Sequence, residues 1–379
     1  MGVVDLLAEL VAIPSVFPNE KQVAEYCAER LRRYGYSVEL QPIGNERFNV
    51  IASKGRAGKS IALFGHIDTV PPYGYANRNP YALERQGDKI FGLGAWDMKA
   101  GVALILSAAE KLKPSEKRGV KVMLSADEEN ISLGGWRLVK EGHLKGVELV
   151  ITPEIADDTG GNVLEHPAPL ILGRRGRVVL ELEIAGDVAH GASGKGASAL
   201  SAGAEMVWIL ERMPLPQHSK LGSMRLFVRS MHSESTSLSI PEKAFVQVDI
   251  HLVPPYTPEK FRAMVEQHLK KELGVHKNCR WKLTIRPRDT PYLQPYETDL
   301  ENGLVKMFLN ELKENGETPR IGYGLTVADE NVLAASGVPT ITWGPVGNGA
   351  HSSQEWVSQK SLERLDALYP VVVQRLLDG

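Results

Sequence analysis

Residues 60–68 read Ser-Ile-Ala-Leu-Phe-Gly-His-Ile-Asp. The run 60–65 is short and apolar, the composition of a strand buried on both faces. Residues two apart in a strand point the same way, so His66 and Asp68 share a face at its carboxyl end. A metal-binding histidine usually gives its other ring N–H to a second group, often a carboxylate. One face can therefore carry both a ligand and its support. Taken alone, the pair reads more readily as two satisfied polar groups at a strand end.

The same kind of run recurs at 50–53, 120–125 and 149–151. Between these runs lie helical patterns, at 20–35 with Gly35 as the stop, and at 98–112, rich in Ala and Leu and closed by Pro114. This alternation predicts an open α/β sheet with helices on both faces. After Gly173 the pattern changes. Residues 177–185 alternate, with Val179, Leu180, Leu182 and Ile184 among Glu181 and Glu183. A helix at 197–213, strands at 223–230 and 243–253, a helix at 257–273 and a strand at 280–286 follow. Thr257 and Pro258 suit the start of the second helix. The order β-α-β-β-α-β suits a ferredoxin-like α+β domain. The α/β pattern then returns, with helices at 299–315 and near 329–336, a strand at 340–343 and a final helix. The expectation is an α/β domain of residues 1–173 and 287–379 with a second domain, 174–286, inserted into it.

A chain of 379 residues is long for a single core, so two domains fit its length. Lys plus Arg number 44 and Asp plus Glu 46, for a net charge of −2, which argues against a nucleic-acid binder held by bulk charge. No apolar run approaches the roughly 20 residues needed to span a bilayer, and the first residues lack the pattern of a signal peptide. The two cysteines, Cys27 and Cys279, are far apart. They argue against a disulfide framework and for a reducing cytoplasm, and any metal here must use His and carboxylates.

Further groups stand beside His66. Asp97 lies in Gly92-Leu93-Gly94-Ala95-Trp96-Asp97-Met98-Lys99, at the expected start of a helix, where it could simply be an N-cap. The Gly-x-Gly there is too incomplete for a nucleotide-binding loop. Asp127-Glu128-Glu129 follows a buried strand, where adjacent carboxylates are costly unless a cation or solvent compensates them. Glu154 follows the run 149–151, and His351 follows the glycine-rich stretch 344–349. Each is weak alone. Together, four of the five sites follow a strand or open the helix beyond one, and open α/β sheets bind ligands outside the carboxyl ends of their strands. Two histidines with three to four carboxylates suit zinc, cobalt or manganese. A bridging carboxylate would hold two ions about 3.5 Å apart.

At this point the sequence resembles the M20 metallopeptidase family, which includes carboxypeptidases, dipeptidases, aminoacylases and deacylases. The matching blocks are Gly65–Asp68, Gly92–Gly101, Asp127–Glu129, Gly173–Gly176, His190, Pro241–Asp249, Ala328–Asn331 and His351–Val357, in family order across nearly the whole chain. The resemblance implies a zinc-peptidase-like α/β catalytic domain with an inserted dimerisation domain, and two divalent ions, zinc before cobalt or manganese. Asp97 would bridge them, with His66 and Glu154 completing one site and Glu129 and His351 the other. Asp68 would orient His66. Glu128 would be the general base. His190 would reach the partner's active site in a homodimer and stabilise an oxyanion. Arg174 resembles a contact to the substrate carboxylate, and Thr326 is a second candidate.

Three positions depart from the family pattern. Leu238 stands where an Asn is frequent, His251 where an Arg is frequent, and Ile155 follows Glu154 where Pro is usual. The first two bear on how a substrate carboxylate is held. The resemblance implies a hydrolase acting on the amide of a small peptide or an N-acyl amino acid. The segment 324–331, with Ala-Asp-Glu-Asn, leans the reading to a carboxypeptidase or dipeptidase. The alternative is an N-acyl amino acid deacylase of the acetylornithine, succinyl-diaminopimelate or aminoacylase type. Readings of a different class are a non-catalytic metal- or peptide-binding homologue, against which an intact Glu128 argues, and a nucleotide-binding α/β protein.

Overall fold

The strand Ser60–His66 lies parallel to Gly119–Ser125 on one side and to Val147–Thr152 on the other. Thr340–Thr342 extends the parallel set beyond Val147–Thr152. These relations come from a computed structural model that describes residues 1–55, 58–76, 78–156, 169–235, 238–274, 278–318 and 320–379. Among the described residues the sheet has nine strands, with Ser37–Gly44 and Arg47–Lys54 as an antiparallel hairpin on one flank. The sheet is therefore mixed rather than wholly parallel. Ser37–Gly44 escapes sequence reading because it is an edge strand with alternating exposure, not a continuous apolar run. The parallel strands read as apolar runs because they are buried: Ile61, Ala62 and Leu63 are fully covered, as are Val122, Met123 and Leu124. Burying each large side chain contributes about 1.5–3 kcal/mol.

The chain divides into two compact units. The first comprises Met1–Gly173, Glu297–Gly324 and Ala328–Gly379, and the second Arg174–Tyr296 and Leu325–Val327. The second thus runs past the expected limit of 286. Residues 286–295 return along the strand Gly176–Ala185: Arg286 N–H donates to the Val179 carbonyl at 2.8 Å and Arg177 N–H to the Leu293 carbonyl at 2.8 Å. In the second unit the strand order is Arg225–Ser233, Lys243–Leu252, Gly176–Ala185, Arg280–Ile285, all antiparallel. The helices Ala199–Glu211 and Pro258–Glu272 pack on this sheet. Thr257 caps the second of them, accepting from Lys260 N–H at 3.3 Å. With β-α-β-β-α-β connectivity, this is the arrangement expected of a ferredoxin-like fold. Cys27 and Cys279 are buried free thiols. Among the described residues no helix is long and apolar enough to cross a membrane.

The helix Lys99–Lys111 sets the first unit's geometry. Residues 99–109 are all buried, so it lies inside the unit. Gly101 permits its close approach: a Cβ there would stand 2.3 Å from the Pro153 carbonyl oxygen. Pro153 precedes Glu154, and Asp97 precedes the helix. Gly101→Ala must push these two segments apart. We expect a loss of about 1–3 kcal/mol, the usual cost of overpacking, in urea-denaturation measurements. Wild-type stability would show that the backbone yields freely there.

Candidate metal centre

The parallel strands end side by side. His66 is the last residue of Ser60–His66 and is paired in register with Ser125. Beyond Ser125 the chain turns at Asp127, whose φ of +76° lies in the left-handed region. The Asp127 carboxylate holds this turn by accepting from Leu133 N–H at 3.0 Å and from the Arg47 guanidinium at 2.6 Å. Arg47 also donates to Glu20 at 2.7 and 2.9 Å, so the first acid of the triplet is neutralised inside the protein. Glu128 and Glu129 are left to face the strand ends. Asp97 is not an N-cap. Met98 holds that position before the helix at Lys99, and the Asp97 carboxylate turns instead to two imidazoles.

Asp97 Oδ1 lies 3.1 Å from His66 Nε2, and Asp97 Oδ2 lies 3.2 Å from His351 Nε2. Glu154 Oε2 is 3.3 Å from His66 Nε2, and Glu129 Oε2 is 3.1 Å from His351 Nε2. Two groups of three donors therefore meet at one carboxylate, each group's donor atoms lying within 4.8 Å of one another. A third such grouping joins His66, Glu128 and Glu129. It would need a further nitrogen from His66, and none is left. Nε2 faces Asp97 and Glu154, while Nδ1 lies 3.1 Å from the Asp68 carbonyl and 3.5 Å from its carboxylate. Asp68 also accepts from Glu129 N–H at 3.0 Å, which ties the loop to His66.

The donor set calls for positive charge. Among the described residues the ion-pair partners of Asp97, Glu129 and Glu154 are the two imidazoles. Glu129 Oε1 is buried without a hydrogen-bond partner. Burial alone would lower the His66 pKa, but Asp68, Asp97 and Glu154 outweigh it and hold the value well above the usual range. Hydrogen bonds to Asp97 and Glu129 raise His351 to about 11. Burial pushes Glu154 up to about 7, with the charge of Asp97 acting the same way. Asp97 is held below the usual carboxylate range, since its hydrogen bonds to His351 and His66 overcome its burial. Burial also raises Glu128, opposed by His66 and reinforced by Glu129, Asp329 and Glu154. Imidazole and carboxylate donors around an orphaned oxygen fit divalent ions of the zinc, cobalt or manganese type.

The remaining candidates lie in the second unit. Arg174 is buried, and its Nη1 donates to Thr326 Oγ1 at 3.4 Å, so these two are brought together. His190 is exposed, and its Nδ1 accepts from Ala192 N–H at 3.2 Å. In the neutral ring the proton is then on Nε2, which can donate. Leu238 is 78% exposed, and the His251 pKa is lowered by burial. Sequence reasoning missed Arg47 and Glu355. Glu355 accepts from three backbone N–H groups around Asp97. The block His351–Val357 contains it, but partnership with a backbone leaves no signature in residue type.

Comparison with known proteins gives the family and the fold. A model of peptidase family M20/M25/M40 matches residues 62–375. A succinyl-diaminopimelate desuccinylase of Xylella fastidiosa is 28% identical over 99% of this chain and 98% of its own length. A tripeptidase structure from Staphylococcus aureus superposes with a TM-score of 0.77 at 17% identity, covering 99% of this chain and 98% of that one. A dinuclear metal-binding peptidase of the M20 family from Bacillus subtilis gives 0.73 at 13% identity, covering 99% and 96%.

Ligation requires neutral imidazoles, and both are held protonated near neutrality by their carboxylates. Zinc or cobalt uptake at pH 7.5 should release roughly two protons per chain, and affinity should keep rising with pH until His351 has lost its proton near 11. Titration calorimetry in buffers of different ionisation heat measures this, and proton-neutral uptake would rule out the imidazoles as ligands. In the metal-free protein the sign is the opposite. His351, raised to about 11, adds stability that is complete below the unfolded value near 6.5 and is lost as pH climbs through 11.

Proposed function

Because the chain belongs to peptidase family M20/M25/M40, we propose that it is a two-metal amidohydrolase that removes the acyl group from an N-acyl amino acid. The observation that carries the metal reading is the pair of three-donor groups meeting at Asp97. His66, Asp97 and Glu154 would hold one ion and Asp97, Glu129 and His351 the other, zinc being the first choice. Bound there, such ions lower the pKa of a water and polarise an amide carbonyl.

Glu128 is the general base. It adjoins both donor groups, and assigning it to neither leaves it free to take a proton from the attacking water and return it to the leaving amine. Asp68 fixes the His66 ring through Nδ1, so that Nε2 is turned to Asp97 and Glu154, where an ion would be held. Arg174 with Thr326 is the proposed contact for the substrate carboxylate. His190 is the proposed oxyanion donor, acting from a partner subunit through Nε2–H.

The substrate reading departs from the peptidase leaning of the sequence. That leaning rests on Ala-Asp-Glu-Asn at 328–331, yet these side chains are buried and structural. Asp329 accepts from the Ser125 hydroxyl at 2.8 Å, Glu330 from Thr342 at 2.6 Å, and Asn331 from Ala328 N–H at 3.0 Å. They make poor reporters of what a pocket accepts. The end-to-end match to proteins named as desuccinylases favours deacylation instead. Leu238 and His251 leave the acyl group and side chain open to assay.

Metal-loaded protein should cleave acetylated or succinylated amino acids at least about tenfold better in kcat/KM than dipeptides or tripeptides. The reverse order would restore the peptidase reading, and full activity after complete chelation would end the metal mechanism. Glu128→Ala should keep its metals and lose about two to four decades of kcat. Near-normal turnover would mean that another group is the base. His190→Ala should lose turnover at unchanged metal content and recover part of it when mixed with Glu128→Ala. Verified mixed dimers without recovery would remove His190 from a shared site.

A further inference from the structure

Glu355 is 1% exposed, yet it has no cationic side chain in hydrogen-bond contact among the described residues. Among the described residues its carboxylate is held by backbone N–H groups. Oε1 accepts from Trp96 N–H at 2.8 Å and from Asp97 N–H at 3.0 Å, and Oε2 accepts from Gly94 N–H at 3.0 Å. Converging N–H groups of one turn make a concave anion site, the kind of nest that elsewhere receives a ligand's charge. Here the protein fills it with its own side chain.

The turn depends on this arrangement. Gly94 has φ of +70°, and a Cβ there would stand 2.6 Å from Thr69 Cγ2. Lys99 N–H donates to the Gly94 carbonyl at 2.8 Å, closing the turn around Asp97. Trp96 Nε1 donates to the Pro345 carbonyl at 2.8 Å and fixes the turn's far side. Glu355 stands four residues after His351, whose imidazole reaches Asp97 Oδ2 at 3.2 Å. One short segment therefore holds Asp97 twice, through its side chain by His351 and through its backbone by Glu355.

We infer that Glu355 is a positioning residue that sets the Asp97 carboxylate between the two donor groups, so that both metal sites share one alignment device. This rests on the two-metal reading above. Among the described residues the hydrogen bonds to Glu355 come from backbone N–H groups and none from a donor side chain. Glu355 acts by fixing the peptide N–H of the shared residue and of the residue before it, and thereby the direction in which the Asp97 oxygens point. Losing such an outer partner costs about 10–100-fold in metal affinity.

The test is cobalt titration of metal-free wild type, Glu355→Gln and Glu355→Asp, followed by visible absorption, with the thermal midpoint of each metal-free protein measured alongside. In Glu355→Gln an NH2 replaces one acceptor oxygen and faces a backbone N–H. We expect cobalt affinity to fall by about 10–100-fold in this variant. Glu355→Asp keeps both oxygens on a shorter stem and should lose less. If Glu355→Gln does not fold, the aspartate variant reads the same quantity, and its affinity should still fall below that of wild type. A lower thermal midpoint with unchanged cobalt affinity would make Glu355 a structural staple only and overturn the inference. Wild type binding two ions while the variants bind as well rejects this inference alone. Wild type binding no ion rejects the two-metal reading, and this inference with it.

Discussion

The first unit is organised around one carboxylate that two imidazoles contact from opposite oxygens. His66 reaches Asp97 from the end of a buried strand, and His351 reaches it from a loop almost three hundred residues later in the chain. Neither histidine could make that contact without the parallel sheet ending at one rim. The sheet brings Ser125, His66 and Thr152 to that rim, and Glu128, Glu129 and Glu154 lie just beyond it. Carboxylates crowded at such a place repel one another and raise each other's pKa. Their separation can be maintained only if positive charge is shared among them.

The same logic explains how the acidic triplet is tolerated. Asp127 is spent on the turn and is answered by Arg47, which stacks over Phe17 at 4.4 Å and also binds Glu20. A buried network of this kind gives direction rather than net stability, because removing one partner strands the others. It aims Glu128 and Glu129 by committing the residue before them. The left-handed φ of +76° at Asp127 is the local cost, typically about 1–3 kcal/mol for a non-glycine residue held off its preferred backbone.

Much of this was legible in the sequence. Apolar runs marked the parallel strands because burial on both faces excludes polar residues, and alternation marked Gly176–Ala185 because one of its faces is more open. The side chains that meet at Asp97 were each weak signals alone, and it was their joint placement near strand ends together with the family resemblance that singled them out. The edge strand Ser37–Gly44 was not legible, since exposure loosens the pattern. Nor was the extension of the second unit to Tyr296, which rests on main-chain hydrogen bonds indifferent to side-chain identity. Ala-Asp-Glu-Asn at 328–331 is a weak guide to substrate for a related reason: carboxylates that hold the fold, such as Asp329 and Glu330, and the donors Asp97 and Glu154 are all buried and look alike in one dimension.

The two imidazoles differ in a way that reaches beyond their shared partner. The His66 side chain is 2% exposed and sits at the end of a rigid sheet, whereas that of His351 is 54% exposed on a loop at φ of +63°. Cations held on this frame would not be equivalent. The inner one would exchange slowly, behind the strand ends, and the outer one quickly, with bulk solvent. A small chelator added to the loaded protein would therefore reach the outer position first.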